Sequence, residues 1–231
     1  MCQLSKQPVI TIDGPAGAGK TTVSQRIANR YQFIWVDTGA LYRGITLVAR
    51  EKGIAPDDSA GLEKVCHSMN LHFVRKGTQL NLFNHDQDLS AAIRTPEISL
   101  LASKVSAQPV VRQYLLSVQR QFANQGGAVF EGRDMGTVVF PDADIKFFLD
   151  ANHDVRTRRR FDELQKKSIQ TSFDTLSKEM KQRDLQDKNR DIAPLKAAPD
   201  AIHIDASEMS IDAVVNKMAL EINKQLKGRE S

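Results

Sequence analysis

Apolar residues gather in five short runs, at 9–13, 33–37, 128–131, 145–150 and 201–205. Each is a few residues long, rich in Val, Ile and Phe, and bounded by turn formers or polar segments. That is the pattern of a strand buried on both faces. Between the runs, apolar positions fall three or four apart. Val23, Ile27 and Tyr31 predict one helical face, and Leu41, Ile45 and Val48 a second that stops at Gly53. Tyr114, Val118 and Phe122 predict a third, before Gly126 and Gly127, and residues 211–226 keep the same spacing. Strands alternating with helices predict an α/β fold, with a five-stranded parallel sheet flanked by helices.

The rhythm breaks from about Leu62 to Ile93. Residues 71–75 and 79–83 read as strands joined by a turn at Lys76, Gly77 and Thr78. A hairpin inside an α/β chain predicts an inserted subdomain. The polar stretch 166–174 separates two charged helices and predicts a mobile flap. The last four residues, 228–231, are expected to fray.

The first run leads directly into Gly14, Pro15, Ala16, Gly17, Ala18, Gly19, Lys20 and Thr21, followed by Thr22. This spacing is G-x-x-x-x-G-K-[ST], the phosphate-binding loop. A turn from strand into helix aims backbone N–H groups and the positive helix end at one place, which suits a nucleotide polyphosphate. Glycines let the backbone approach, Lys20 adds a point charge, and the Thr21 hydroxyl can ligate Mg²⁺ together with water.

Composition then narrows the partners. Hydrophobic residues make up 41% of the 231 and charged residues 26%, as in ordinary globular chains. No apolar run approaches the roughly 20 residues of a membrane span, so no membrane partner is expected. The N-terminal residues lack the apolar stretch of a signal peptide, and Cys2 and Cys66 form no C-x-x-C pair. A reduced, disulfide-free cytoplasmic protein is expected. The net charge is +4, but basic residues mostly interleave with acidic ones. This argues for small anionic substrates and against a nucleic-acid face. Arg156, Arg158, Arg159 and Arg160 are the exception.

A phosphate loop serves switches, motors and kinases. GTP switches read guanine with N-K-x-D, whereas Asn216-Lys217-Met218-Ala219 and Asn223-Lys224-Gln225-Leu226 lack the closing Asp. A small kinase fits better, and an acceptor that is itself a phosphate requires several converging cations. Arginines do follow the strands. Asp37-Thr38-Gly39-Ala40-Leu41-Tyr42-Arg43 follows the second run, with Asp37 or Thr38 as a helix cap. Glu131-Gly132-Arg133-Asp134-Met135-Gly136-Thr137 follows the third. Arg183, Asp187 and Arg190 share one face if helical. Ligands of open parallel sheets bind beyond the carboxyl ends of strands, where the first two clusters fall.

With GPAGAGKTT, DTGALYR, the hairpin insert, the segment holding Ser103, Pro109 and Arg112, GRDMGTVVFPDA and RDLQDKNR, the chain resembles the bacterial cytidylate kinases of the nucleoside monophosphate kinase group. The resemblance spans essentially the whole chain. It implies a P-loop kinase core at 1–37 and 113–231, with a lid at about 154–175. It also implies a monophosphate-binding region at 38–112, with the hairpin subdomain at about 62–95. It implies transfer of the ATP γ-phosphate to CMP or dCMP, with Mg²⁺; nothing in the sequence demands an oligomer, and a monomer is expected. Residue by residue, it implies that Arg43, Arg133 and Arg190 hold the acceptor phosphate and that Ser103, Arg112 and Asp134 read the base. Thr38 joins that acceptor set, and Arg183 and Asp187 meet the sugar hydroxyls. One lid arginine meets ATP, for which Arg158 is favoured over its neighbours. Lys20, Arg133, Arg190 and Arg158 are then the catalytic set. Glu131 stands where many members of the family carry Asp, and no ligand role is assigned to it. A kinase for another small acceptor, and a nucleotide-binding module without transfer, remain as alternatives.

Overall fold

β1 (Val9–Asp13) is buried along its whole length and lies at the centre of a five-stranded sheet. The computed structural model describes residues 8–76, 79–123 and 127–227. Cys2, Gly77, Thr78, Gly126 and residues 228–231, which entered the sequence reading, lie outside them.

The remaining strands of the sheet are β2 (Ile34–Asp37), β6 (Ala128–Gly132), β7 (Ile145–Asp150) and β8 (Ile202–Asp205), in the order β2-β6-β1-β7-β8. β1 runs parallel to β6 and β7, and β7 parallel to β8. These strands match the five apolar runs to within a residue at either end. The smaller second sheet orders β3 (Leu71–Lys76), β4 (Gln79–Asn84) and β5 (Gln87–Asp88). β3 and β4 pair antiparallel from Leu71 opposite Asn84 to Lys76 opposite Gln79. The short β5 adds a third strand that the sequence reading did not contain.

The helices are α1 (Lys20–Tyr31), α2 (Thr38–Glu51), α3 (Ser59–Ser68), α4 (Pro96–Val105), α5 (Pro109–Phe122), α6 (His153–Lys166), α7 (Phe173–Asn189) and α8 (Ile211–Lys227). Two compact units result. One joins the chain before residue 36 to the chain after 125, and the other is 36–125. The first buries Ile10, Ile12, Val129, Phe147 and Leu149 of the sheet with Ile27 of α1 and Met218 of α8. The second buries Leu41, Ile45, Leu62, Leu82, Ile98, Val111 and Leu115 in a core of its own. That core explains why α5 belongs with the second unit, whereas the sequence reading returned the chain to the core at 113. Val111 and Leu115 both sit inside the second cluster, so the helix cannot be divided there.

Candidate active site

The phosphate loop turns out of β1 and into α1, as its pattern requires. Gly19 stands in the left-handed region at φ 96°, and no side chain caps the helix. The first amides of α1 therefore remain for a ligand. Lys20 is buried, and its Nζ donates to the Pro15 carbonyl at 2.6 Å, curling back over the loop. Burial, with help from the nearby Arg133 charge, holds its ammonium well below the usual lysine range, against the pull of Glu131. An anion arriving at the loop would reverse that shift.

Thr21 and Thr22 are exposed at the helix start. Thr21 Oγ1 donates to Glu131 Oε1 at 2.9 Å, and Ser24 Oγ donates to Glu131 Oε2 at 2.5 Å. Trp35 Nε1 donates to Ser24 Oγ at 3.1 Å. Glu131 thus orients Thr21 through its carboxylate, and its extra methylene relative to Asp gives the reach. A hydroxyl beside a carboxylate is a hard-oxygen donor set of the kind Mg²⁺ takes, so these residues fit that ion.

The register between β1 and β6 sets Ile12 beside Glu131 and Asp13 beside Gly132. The phosphate loop and the Arg133-Asp134 segment therefore leave the sheet side by side. Arg133 Nε donates to Asp187 Oδ2 of α7 at 2.9 Å. Arg190, just past the end of α7, reaches Asp134 Oδ1 at 3.4 Å. Burial raises the Asp187 carboxyl, but Arg133, Arg183 and Arg190 together outweigh it and hold it below the usual carboxylate range. Five of the residues singled out in the sequence, Arg133, Asp134, Arg183, Asp187 and Arg190, are thus gathered in one charged cluster within one unit. The acidic members are buried, and Arg133 and Arg190 are paired with them.

The arginine run on α6 divides by role. Arg156 is buried and bonds the Ala16 carbonyl at 3.0 Å, the Ala151 carbonyl at 2.8 Å and Asp184 Oδ2 at 2.7 Å. It ties the phosphate loop to α7. Arg159 donates to the Ala18 carbonyl at 3.3 Å and to the Ala206 carbonyl at 2.7 Å. Arg158 stacks on Phe173, its guanidinium carbon 4.6 Å from the ring centre. Arg160 pairs with Glu163 at 2.7 Å. Arg158, favoured in the sequence, lies over the Phe173 ring, whereas Arg156 and Arg159 bond loop carbonyls. Four arginines in one run carry no signal that separates them, because a helix turns each to a different face.

In the second unit, Asp37 caps α2 by accepting from the Ala40 amide at 3.1 Å. Its other oxygen pairs with Arg43 at 2.7 Å, so Asp37 both caps and orients. Thr38 is fully buried in the first turn. Arg112 of α5 is buried, donates to the Ser106 carbonyl at 3.0 Å and lies 5.6 Å from the Tyr42 ring centre. Ser103 sits half-buried on α4.

Sequence reasoning missed Asp13. Its carboxylate is buried at the end of β1 and accepts the Met135 amide at 2.9 Å and the Gly136 amide at 2.8 Å. Burial pushes its pKa up to about 6, although both amides pull it down. The folded chain therefore binds this proton more tightly than the unfolded chain. The cost of ionising Asp13 applies in full above pH 6, on the order of 3 kcal/mol, and disappears as pH falls toward the unfolded value. Urea midpoints at pH 5 and pH 7 should show the wild type gaining on Asp13→Asn as the pH falls. A difference independent of pH would contradict the shift.

The cytidylate kinase family model matches residues 10–224. The chain belongs to the cytidylate kinase family. A cytidylate kinase of Syntrophotalea carbinolica is 49% identical over 216 residues, covering 93% of this chain and 92% of the relative. One from Geobacter sulfurreducens is 46% identical over 210 residues, covering 91% and 90%. Among solved structures, a shikimate kinase from Bacteroides thetaiotaomicron aligns at a TM-score of 0.50 and 15% identity. That alignment covers 94% of this chain and 99% of the other, and shows the shared P-loop kinase fold alone. Among the described residues, no helix is long and apolar enough to cross a membrane.

Proposed function

We propose that the chain transfers the γ-phosphate of ATP to CMP or dCMP, giving ADP and the corresponding diphosphate. The observation that carries this reading is the pairing of two loops at the ends of β1 and β6. One holds the buried Lys20, and the other holds Arg133 and Asp134 within the cluster of α7 charges. Family membership supplies the acceptor.

In this reading the amides of residues 14–22 and the Lys20 ammonium cradle the ATP phosphates. Arg43, Arg133 and Arg190 take the acceptor phosphate, which is already anionic at neutral pH and needs no strict general base. Asp37 and Asp187 hold Arg43 and Arg133 in place until then. Positioning and charge neutralisation supply most of the rate. Thr21 would hold Mg²⁺ with water, Glu131 orienting the hydroxyl, and that ion would supply charge neutralisation at the phosphate oxygens. The segment 154–175 serves as the lid; Arg159, whose guanidinium bonds the Ala18 carbonyl, meets phosphate, and Arg158 reaches ATP by leaving Phe173. Arg183 and Asp187 meet the sugar, and Thr38 supports the acceptor site. ATP and CMP are the substrates, and the chain acts as a monomer in the cytoplasm.

Asp134 accepts from the cytosine amine while Arg112 donates to N3 and O2 and Ser103 adapts. Uracil would set a carbonyl against the carboxylate. One mismatched buried polar group costs about 1–3 kcal/mol, or roughly ten- to a hundredfold. A coupled assay of ADP release over CMP, dCMP, UMP, AMP and shikimate should give CMP and dCMP the highest kcat/KM, with UMP lower by that factor. Equal efficiency with UMP would remove the base assignment. Nucleotide binding without ADP release for any acceptor would make the chain a binding module.

A further inference from the structure

Residues Met135–Val139 form a single wide helical turn directly after Asp134. Such a turn begins with amides that have no partner inside it. The residue preceding it ordinarily supplies the cap, and Asp is among the best caps available. Here the Asp134 side chain makes no cap hydrogen bond. Its carboxylate is directed at Arg190, 3.4 Å away, while its backbone carbonyl accepts the Val138 amide at 2.9 Å. The first two amides of the turn go instead to Asp13, one to each carboxylate oxygen, from the adjacent strand.

We propose that Asp13 is a positioning residue that caps the 135–139 turn in place of Asp134, so that the Asp134 carboxylate is directed at the acceptor base. Two features support this. A carboxylate at the end of a buried apolar strand is costly, and its pKa is raised for that reason, with Asp134 adding repulsion and Lys20 attraction. A group that costs stability and is nevertheless satisfied by two short hydrogen bonds serves something other than the core. Secondly, the turn has little room to settle elsewhere. A Cβ on Gly136 would come within 3.0 Å of Thr11 Oγ1 and 3.2 Å of Lys146 Cδ. The two bonds from Asp13 thus fix a backbone already confined on its other side.

The inference rests on the assignment of Asp134 to the acceptor base. Asp13→Asn keeps shape and volume but presents an NH₂ to one of the two amides, which loosens the cap without opening a cavity. Steady-state kinetics on this variant should raise the KM for CMP at least tenfold and lower the ratio of CMP to UMP kcat/KM by a similar factor. The KM for ATP should change less than threefold, and thermal unfolding at pH 8 should be no earlier than in the wild type. An unchanged CMP KM and an unchanged ratio would overturn the inference. An equal rise in both substrates' KM would also overturn it, because Asp13 would then act through Lys20. Asp134→Asn serves as the control: if it leaves the CMP to UMP ratio intact, the base assignment itself fails. If it lowers the ratio and Asp13→Asn does not, only the cap is wrong.

Discussion

Lys20→Ala leaves the chain folded and lowers kcat by roughly a thousandfold, the scale on which a single charge-stabilising donor acts on a transition state. Lys20 is the first residue of α1 and is buried, and its ammonium donates to the Pro15 carbonyl. Its ammonium is destabilised by burial and by Arg133. Removing it therefore relieves a desolvation cost, and the fold does not depend on it. What the variant loses, in the proposed reaction, is the charge that follows the phosphoryl group as it leaves ATP. The change should fall on kcat more than on the KM for ATP, since the loop amides still bind phosphate. ADP release in a coupled assay, with circular dichroism to confirm the fold, measures both. Turnover within tenfold of the wild type would contradict the role.

Gly14→Ala has the opposite signature, acting on the fold first. Gly14 has φ 152°, and a Cβ there would lie 1.9 Å from the Leu149 carbonyl oxygen of β7. Both partners are backbone, so neither can rotate away. Either β7 separates from the loop or the loop shifts, and each breaks the site where β1 ends. The expected loss is about 3–5 kcal/mol, in the range of core overpacking and backbone strain combined. For a chain of this length that is a fall in Tm of roughly 6–20 °C. Differential scanning calorimetry reads it directly, and a Tm within 2 °C of wild type would show the loop to be more pliable than its packing implies.

Much of the sheet was legible because a strand buried on both faces carries its own signal. The runs at 9–13 and 145–150 need no context to be read as strands, and the phosphate loop is defined by residue spacing. The charged cluster was legible only through motif resemblance. Arg183, Asp187 and Arg190 alone are indistinguishable from an exposed helix face, and it is the tertiary approach of Arg133, just after β6, that pairs with the buried Asp187. Asp13 was missed although its signal was present, as a carboxylate closing a run of apolar residues. Read as part of a strand it is merely the last residue, and only the parallel register with β6 reveals the amides it meets. Glu131 was read as a departure from an expected Asp. The longer arm is what lets one carboxylate serve both Thr21 and Ser24. The arginines of α6 were not separable, since their contacts depend on which carbonyls the phosphate loop turns toward α6.

The most direct measurement is a crystal structure with CMP and a non-hydrolysable ATP analogue bound together. The account predicts the CMP phosphate within hydrogen-bond distance of Arg43, Arg133 and Arg190, and the cytosine amine on the Asp134 carboxylate. It predicts the analogue's terminal phosphate at Lys20, in line with the CMP oxygen. A CMP bound away from Arg133 and Asp134, or a terminal phosphate remote from Lys20, would contradict it.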